Sequence, residues 1–294
     1  MTLSQEMLQA AGAAPTLLAD AGDRVVDFIR SQMNEDGGFK GRSMTSDLYY
    51  TVFGIECLLA LRADVPFERV EHYLQQFGSG QSLDLVHLAC LARCWSHLPE
   101  AALADNTRQE MRRALERFRT SDGGYGADAA AENGTVYGCF VGFGACEDLR
   151  AELPNPADLI RCVRSLKTED GAYANERSIP VGSTPATAAA VTLLRHLGQD
   201  AGEAVGRWLL DRFEPPGGFV AMPLAPLPDL LSTATALHGL AGMNVSLDSI
   251  REPCLRFVRS LWSDEGAFRG HEADDDLDCE YTFYGLLALG HLSA

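Results

Sequence analysis

The chain has 294 residues, 46% of them hydrophobic, so it is long enough for one large domain or two small ones with a substantial core. Its 41 acidic and 24 basic residues leave a formal net charge of −17, which argues against nucleic acid and anionic membranes as partners, because both attract basic surfaces. The mean hydropathy is −0.06, and no apolar run approaches the roughly 20 residues of a transmembrane segment.

The first residues lack the basic and apolar stretches of a secretory signal peptide, so we expect a cytoplasmic protein. Most of the eight cysteines fall within apolar helical pattern, as Cys57 does, and we expect them to be reduced and buried. Cys90 and Cys94 have the i, i+4 spacing of one helix face rather than the spacing of a zinc-binding pair.

A glycine-rich loop that ends in an aromatic residue recurs along the chain. Five copies are clear, and the aromatic residues of the last four lie 46 to 49 residues apart. A sixth, degraded copy falls in the first gap at 77–80. This self-similarity predicts a protein built from six structural repeats. The five aromatic residues are Phe39, Tyr125, Tyr173, Phe219 and Phe268.

A second landmark follows each loop: a short polar residue and, four positions later, usually a threonine. Aligning 47–51 with 278–282 sets the register of this pair of columns. An aspartate or serine in the first column is a good helix N-cap and would contribute about 1 kcal/mol. The first column contains Asp47, Asp84, Ala131, Ser183, Asp229 and Asp278, and the second contains Thr51, Leu88, Thr135, Thr187, Thr233 and Thr282.

Each repeat predicts two helices. The stretch before each glycine loop is amphipathic, as at Leu159, Val163 and Leu166, which suits an outer layer. The stretch after the polar column is apolar on nearly every side, as over 282–289, which is typical of a buried helix. We therefore predict an all-α fold, an (α/α)6 toroid, as a single domain over 1–294. Its repeats begin near 20, 65, 105, 155, 200 and 248.

The glycine-aromatic loop, the polar residue and the threonine that starts the next helix resemble the repeat of the prenyltransferase and squalene-cyclase superfamily. The resemblance covers roughly 20–293. It implies an α/α toroid with an apolar central cavity and an isoprenoid ligand. It also implies one of two enzyme groups, the beta subunits of protein prenyltransferases or the class II terpene cyclases.

The prenyltransferase alternative implies a zinc ion, held by an Asp-x-Cys pair in one repeat and a histidine in the next. The aligned positions here are Asp229, Leu231 and Tyr281, so two of the three ligands are missing. We therefore predict no metal site and no cofactor, except that Mg²⁺ could accompany a diphosphate substrate. This alternative also requires a partner subunit, and the length of the chain favours it, because cyclases usually carry a second helical domain.

The cyclase alternative implies an Asp-x-Asp-Asp-Thr motif whose middle acid protonates an alkene or epoxide. The aligned segment is Asp278-Cys279-Glu280-Tyr281-Thr282. We predict a terpene-cyclase-like enzyme in which Glu280 donates the proton, Asp278 is its hydrogen-bonding partner and Tyr281 belongs to a cation-stabilising wall.

The substrate is predicted to be a prenyl diphosphate or another isoprenoid, held in an aromatic-lined cavity. Arg42, with Lys40 and Arg177, is placed in the glycine loops where it could meet a diphosphate. A non-catalytic toroid that binds a ligand or a protein is the third alternative. The predicted substrate-binding aromatic residues are Tyr49, Tyr50, Phe53, Tyr137 and Tyr284.

Overall fold

The computed structural model describes residues 1–293, which form a ring of alternating outer and inner helices after a short N-terminal helical segment. The N-terminal helices are α1 (Leu3–Ala11) and α2 (Pro15–Leu18). The outer helices are α3 (Gly22–Ser31), α5 (Phe67–Gln75), α7 (Asp105–Glu116), α9 (Pro156–Ser165), α11 (Glu203–Leu210) and α13 (Arg251–Ser260). The inner helices are α4 (Leu48–Ala60), α6 (Leu85–His97), α8 (Val136–Asp148), α10 (Thr184–His196), α12 (Leu230–Gly242) and α14 (Cys279–Leu292).

The inner helices form a closed ring. Each packs on the next, and α14 packs on α4, so the last repeat meets the first. The predicted (α/α)6 toroid is therefore confirmed. Two short hairpins lie in the glycine loops of the last two repeats, pairing β1 (Phe219–Val220) with β2 (Pro228–Asp229) and β3 (Trp262–Ser263) with β4 (Ala267–Phe268). Over residues 1–293, no helix has the length and apolar character to cross a membrane.

The repeated threonine fastens the glycine loop to the inner helix in the first, fourth and fifth repeats. Thr51 Oγ1 accepts a 3.0 Å hydrogen bond from the backbone N–H of Phe39 and donates a 2.7 Å one to the carbonyl of Asp47. Thr233 makes the same contacts in the fifth repeat. The loop turns at Gly37, whose φ of 93° favours glycine, and this turn lets the Phe39 ring become fully buried. The recurring sequence pattern thus encodes one recurring contact.

All six inner helices begin at a residue whose side chain accepts a backbone N–H, as the polar column predicted. In the third repeat, however, the cap is Thr135, and the predicted alignment at Ala131 is wrong by one helical turn. The loop from Tyr125 to Thr135 then has the same length as the loop from Tyr173 to Ser183. The six caps are Asp47, Asp84, Thr135, Ser183, Asp229 and Asp278.

Helix α1 covers one end of the ring, which the repeat pattern did not predict. It contacts α4, α8, α10 and α14 at their C-terminal ends. Ser4 Oγ donates a 2.8 Å hydrogen bond to Asp148, and Glu6 accepts a 2.8 Å hydrogen bond or ion-pair contact from His196 Nε2. Glu6 also pairs with Arg195. The ring is therefore a cup, with α1 as its floor and the helix N-termini as its mouth.

Candidate active site

A cavity lies between the inner helices above α1. It has two adjoining lobes, with volumes of about 360 Å³ and about 90 Å³. The larger volume is within the range of small-molecule binding sites. Both lobes are lined by Met7 from the floor and by Tyr49, Tyr137, Phe140 and Tyr284 from the ring.

The second residue after each cap lines this cavity, because equivalent positions on the six inner helices face the ring axis. Five of these residues are aromatic or aliphatic, and the sixth is an acid. The position of Tyr137 is therefore equivalent to that of Glu280. The sequence alignment did not show this equivalence, because it placed the third repeat one helical turn out of register. The six residues are Tyr49, Val86, Tyr137, Pro185, Leu231 and Glu280.

Glu280 is a half-buried carboxyl with a defined partner. Tyr49 donates a 2.6 Å hydrogen bond from its hydroxyl to Glu280 Oε1. Burial raises the pKa of Glu280 to about 6; the negative charge of Asp278 acts in the same direction, while Tyr49 and Arg42 oppose the rise. A carboxyl with this pKa is protonated in a substantial fraction near pH 6 and exchanges protons readily in that range.

Asp278 has a different environment from the one predicted for it. Its buried carboxylate accepts a 2.8 Å hydrogen bond from the backbone N–H of Tyr281, which caps α14, and a 3.3 Å hydrogen bond from Arg42 Nε. Burial raises the pKa of Asp278, although both of these hydrogen bonds act to lower it. Asp278 therefore holds the start of the helix and Arg42, whereas the hydrogen bond to Glu280 comes from Tyr49.

Arg42 is shared among three carboxylates of the same loop and cap. Its guanidinium lies 3.1 Å from Asp274, 3.5 Å from Asp276 and 3.3 Å from Asp278. It also lies 5.5 Å from the centre of the Tyr281 ring. The positive charge of Arg42 is thus engaged by the protein itself.

The predicted aromatic residues divide into two groups. Phe53 and Tyr284 line the cavity together with Tyr49 and Tyr137; the Phe53 ring centre lies 5.1 Å from that of Tyr49 and 5.8 Å from that of Tyr284. Tyr50 lies outside the lining and packs edge-on against Tyr49 at 5.5 Å.

Tyr281 also lies outside both lobes, so the expectation that it belongs to the cavity wall is corrected. One residue along a helix turns the side chain by about 100°, which moves Tyr281 from the axis that Glu280 faces to the outer rim. A Cβ atom on Gly270 would be 2.7 Å from the Tyr281 ring, so this ring fills the space beside the loop.

Several residues near the floor were missed in the sequence. The ninth residue after the cap also faces the axis and includes Arg93 and His238. Arg93 donates hydrogen bonds of 2.5 and 2.6 Å to both oxygens of Glu56, and His97 lies 2.9 Å from the same carboxylate. Although burial opposes it, Arg93 and His97 hold the pKa of Glu56 below its usual range. The second and ninth residues after the cap are two helical turns apart and therefore lie on the same face of the helix. Helical periodicity could thus have predicted from the sequence that both positions face the cavity.

The residues at the zinc positions of protein prenyltransferases do not fit that metal. Asp229 accepts hydrogen bonds of 2.7 Å from the backbone N–H and the hydroxyl of Ser232. Leu231 offers a hydrocarbon side chain and Tyr281 a phenol, whose pKa burial raises. Within the described part of the chain, no three His, Cys, Asp or Glu side chains are grouped so that they could hold a metal ion.

Comparison with protein families gives one match. The model of the prenyltransferase alpha-alpha toroid domain matches residues 2–219 and 187–293, which is nearly the whole chain. A comparison with curated proteins found no match. The family match confirms the resemblance drawn from the repeats.

Solved structures of the same fold come from both enzyme groups. A variant of the type II terpene cyclase MstE from Scytonema, in complex with its substrate geranylgeranyl dihydroxybenzoate, is 15% identical with a TM-score of 0.63, covering 95% of this chain and 97% of that chain. Protein geranylgeranyltransferase-I of Candida albicans, complexed with GGPP, is 12% identical with a TM-score of 0.59, covering 73% of each chain. A protein from Actinoplanes is 15% identical with a TM-score of 0.63, covering 93% of this chain and 98% of that chain. At these identities the likeness shows the fold alone.

Proposed function

The chain belongs to the prenyltransferase alpha-alpha toroid family, and on that premise we propose that it is a terpene cyclase in which Glu280 starts the cyclisation of a prenyl chain by protonating an alkene. The observation that carries the proposal is the hydrogen-bonded pair of Glu280 and Tyr49 on the wall of an aromatic-lined cavity.

The first step transfers the proton of neutral Glu280 to a terminal alkene carbon and leaves a tertiary carbocation. The Tyr49 hydroxyl donates to the carboxylate that forms, so it stabilises the charged state of the acid. This hydrogen bond makes Glu280 a stronger acid than its burial alone would allow.

The second step is attack of an internal alkene on the cation, which closes a ring and moves the positive charge along the chain. The side chains of Tyr49, Phe53, Tyr137 and Tyr284 line the cavity, and we expect their rings to stabilise that charge. Each favourable cation–π contact contributes about 0.5–2 kcal/mol. Loss of a proton from carbon to solvent ends the reaction, and solvent reprotonates Glu280. The product is therefore an isomer of the substrate.

The length of the chain does not favour a prenyltransferase over a terpene cyclase. MstE, a type II terpene cyclase, is matched over 97% of its own chain, so a single toroid of this size is compatible with that class. The poor fit of Asp229, Leu231 and Tyr281 to zinc also weighs against the prenyltransferase alternative.

Incubation in D₂O tests the proposal. The protein is mixed with prenyl substrates of increasing chain length, and the products are separated and analysed by mass spectrometry. We expect a cyclic isomer that carries one solvent deuterium on a carbon atom, because Glu280 exchanges its proton with solvent before each turnover. A cyclic product free of solvent deuterium, or no cyclic product from any substrate, would contradict the proposal.

A further inference from the structure

The charges that face the cavity restrict the head group of its ligand. Of the residues that line the two lobes, Arg93 carries the one permanent positive charge, and both oxygens of Glu56 are hydrogen-bonded to its guanidinium. Two acids, Glu280 and Asp148, line the same lobes. The interior therefore offers no uncompensated cation to an anionic ligand.

The mouth is acidic as well. Arg42 is engaged by Asp274, Asp276 and Asp278, and the ring of His87 lies 2.9 Å from Asp84 and 3.6 Å from Asp47. Arg177, another basic residue of the glycine loops, lies 2.7 Å from Asp122. An anion that bound at Arg42, His87 or Arg177 would have to displace these carboxylates from their cations, which is unfavourable. Lys40, the other basic residue predicted to meet a diphosphate, has no carboxylate of residues 1–293 within ion-pair distance.

The larger lobe offers neutral polar groups instead. The hydroxyls of Thr192 and Thr235 and the ring of His238 lie among apolar side chains such as Phe140 and Leu287. Burial lowers the pKa of His238 to about 4, so this imidazole is neutral at physiological pH. Thr235 Oγ1 already donates to the carbonyl of Leu231, and His238 Nδ1 already pairs with His291 Nε2 at 3.0 Å. The Thr235 oxygen can still accept a hydrogen bond, and His238 Nε2, 3.5 Å from Glu6, has no hydrogen-bond partner among residues 1–293, so both can bind an alcohol or phenol without a countercharge.

We infer that this cavity takes a prenyl chain with an uncharged head group, such as an alcohol or a phenol, and excludes the free prenyl diphosphate. The inference rests on the proposed function for the reaction, but it concerns binding and is tested separately. It also reassigns Arg42 from a predicted diphosphate ligand to a residue that neutralises the acidic loop over 274–278.

The experiment compares two ligands with the same chain and different heads. Geranylgeraniol and geranylgeranyl diphosphate compete with tritiated geranylgeraniol for the wild-type protein in equilibrium dialysis, with and without Mg²⁺. We expect the alcohol to bind at least tenfold more tightly in both conditions. High salt should narrow the difference, because it screens the repulsion at the mouth. Equal or tighter binding of the diphosphate would overturn the inference.

A double variant tests the cause of the exclusion. Asp274→Asn combined with Asp276→Asn leaves Arg42 with Asp278 alone among its present carboxylates. We expect diphosphate affinity to rise several-fold and alcohol affinity to stay the same. The control Glu203→Gln removes an exposed acid from the outer helix α11 and should change neither. Equal changes in the double variant and the control would contradict the role of the loop.

The outcomes separate the two proposals. Preferential binding of the alcohol without a cyclic product would refute the cyclase function and leave the head-group inference standing. A cyclic product formed from the diphosphate, with solvent deuterium incorporated, would refute the head-group inference and support the cyclase function.

Discussion

The Tyr49 hydroxyl lies 2.6 Å from Glu280 Oε1, although 231 residues separate the two in the chain. They meet because α14 packs on α4, where the last repeat closes the ring against the first. The acid and its hydrogen-bond donor thus come from opposite ends of the sequence. A chain that does not close its ring leaves Glu280 without this partner.

Replacement of Glu280 by glutamine should abolish cyclisation. The amide keeps the volume of the side chain but has no proton acidic enough to transfer to carbon, so we expect kcat to fall by at least a hundredfold, consistent with the loss of a general acid. Product formation is measured by mass spectrometry at saturating substrate. The matched control is Glu272→Gln, an exposed acid that precedes the same helix. Near-wild-type turnover in Glu280→Gln would exclude this carboxyl as the proton donor.

The rate should depend on pH through the same group. Since the pKa of Glu280 is about 6 and the protonated form is the reactive one, kcat/KM should be constant well below pH 6 and should fall about tenfold per pH unit well above it. Tyr49→Phe removes a hydrogen bond that lowers this pKa, so the midpoint should move to higher pH while the maximal rate falls. A midpoint that moved to lower pH, or stayed fixed, would contradict this arrangement.

Much of the fold and of the rim could be predicted because the chain repeats itself. Thr51 and its equivalents Thr187 and Thr233 each accept a hydrogen bond from the backbone N–H of the aromatic residue in the glycine loop, and alignment of the repeats on these threonines located the inner helices. The register corrected by the structure places Glu280 in a column where the other five repeats hold apolar or aromatic residues. The alignment failed in the third repeat because it assigned Thr135 to the threonine column, whereas Thr135 is itself the cap of α8.

The rest depends on contacts that do not repeat. The pairing of Glu280 with Tyr49 is set by closure of the ring, whereas the resemblance to the cyclase motif had suggested Asp278 as the partner. Helix α1 has no equivalent in the repeats, so the repeat pattern does not predict where it packs. Its position depends on contacts with polar residues at the C-terminal ends of the inner helices, such as Asp148 and His196. Tyr281 was misplaced because an alignment identifies a position and does not give its angle around the helix axis.

Arg93→Met should destabilise the fold. The substitution leaves the fully buried Glu56 carboxylate without its bidentate partner, and breaking a buried ion pair on one side typically lowers the free energy of unfolding by about 3–5 kcal/mol. Urea denaturation monitored by circular dichroism measures the loss. The control Arg207→Met removes a residue from an exposed pair on α11 and should change stability by less than about 1 kcal/mol.

The pH dependence of this loss has a definite sign. The folded-state pKa of Glu56 is lowered, so its ion pair contributes stability above the unfolded pKa, and that contribution is lost as the pH falls through the folded value. The gap between wild type and Glu56→Gln should therefore narrow in acid. A gap that widened as the pH fell would contradict the assignment.

Gly290→Ala should weaken the packing of α1 against the inner helices. A Cβ atom at this position would lie 1.9 Å from the carbonyl oxygen of Ala10, and because that atom belongs to the backbone, the helix itself must shift. We expect a lower melting temperature and faster amide hydrogen exchange over Leu3–Ala11, measured by mass spectrometry.

Gly144→Ala is the matched control for this prediction, because Gly144 also faces α1 from an inner helix. There the nearest atom to an added Cβ is Leu3 Cδ1 at 3.9 Å, an ordinary contact. Alanine is favoured over glycine within a helix by roughly 1 kcal/mol, so this variant should be as stable as wild type or more so. Since helix propensity favours alanine at both sites, a loss confined to Gly290→Ala isolates the contact with α1. Equal protection of Leu3–Ala11 in both variants would mean that α1 does not dock against Gly290.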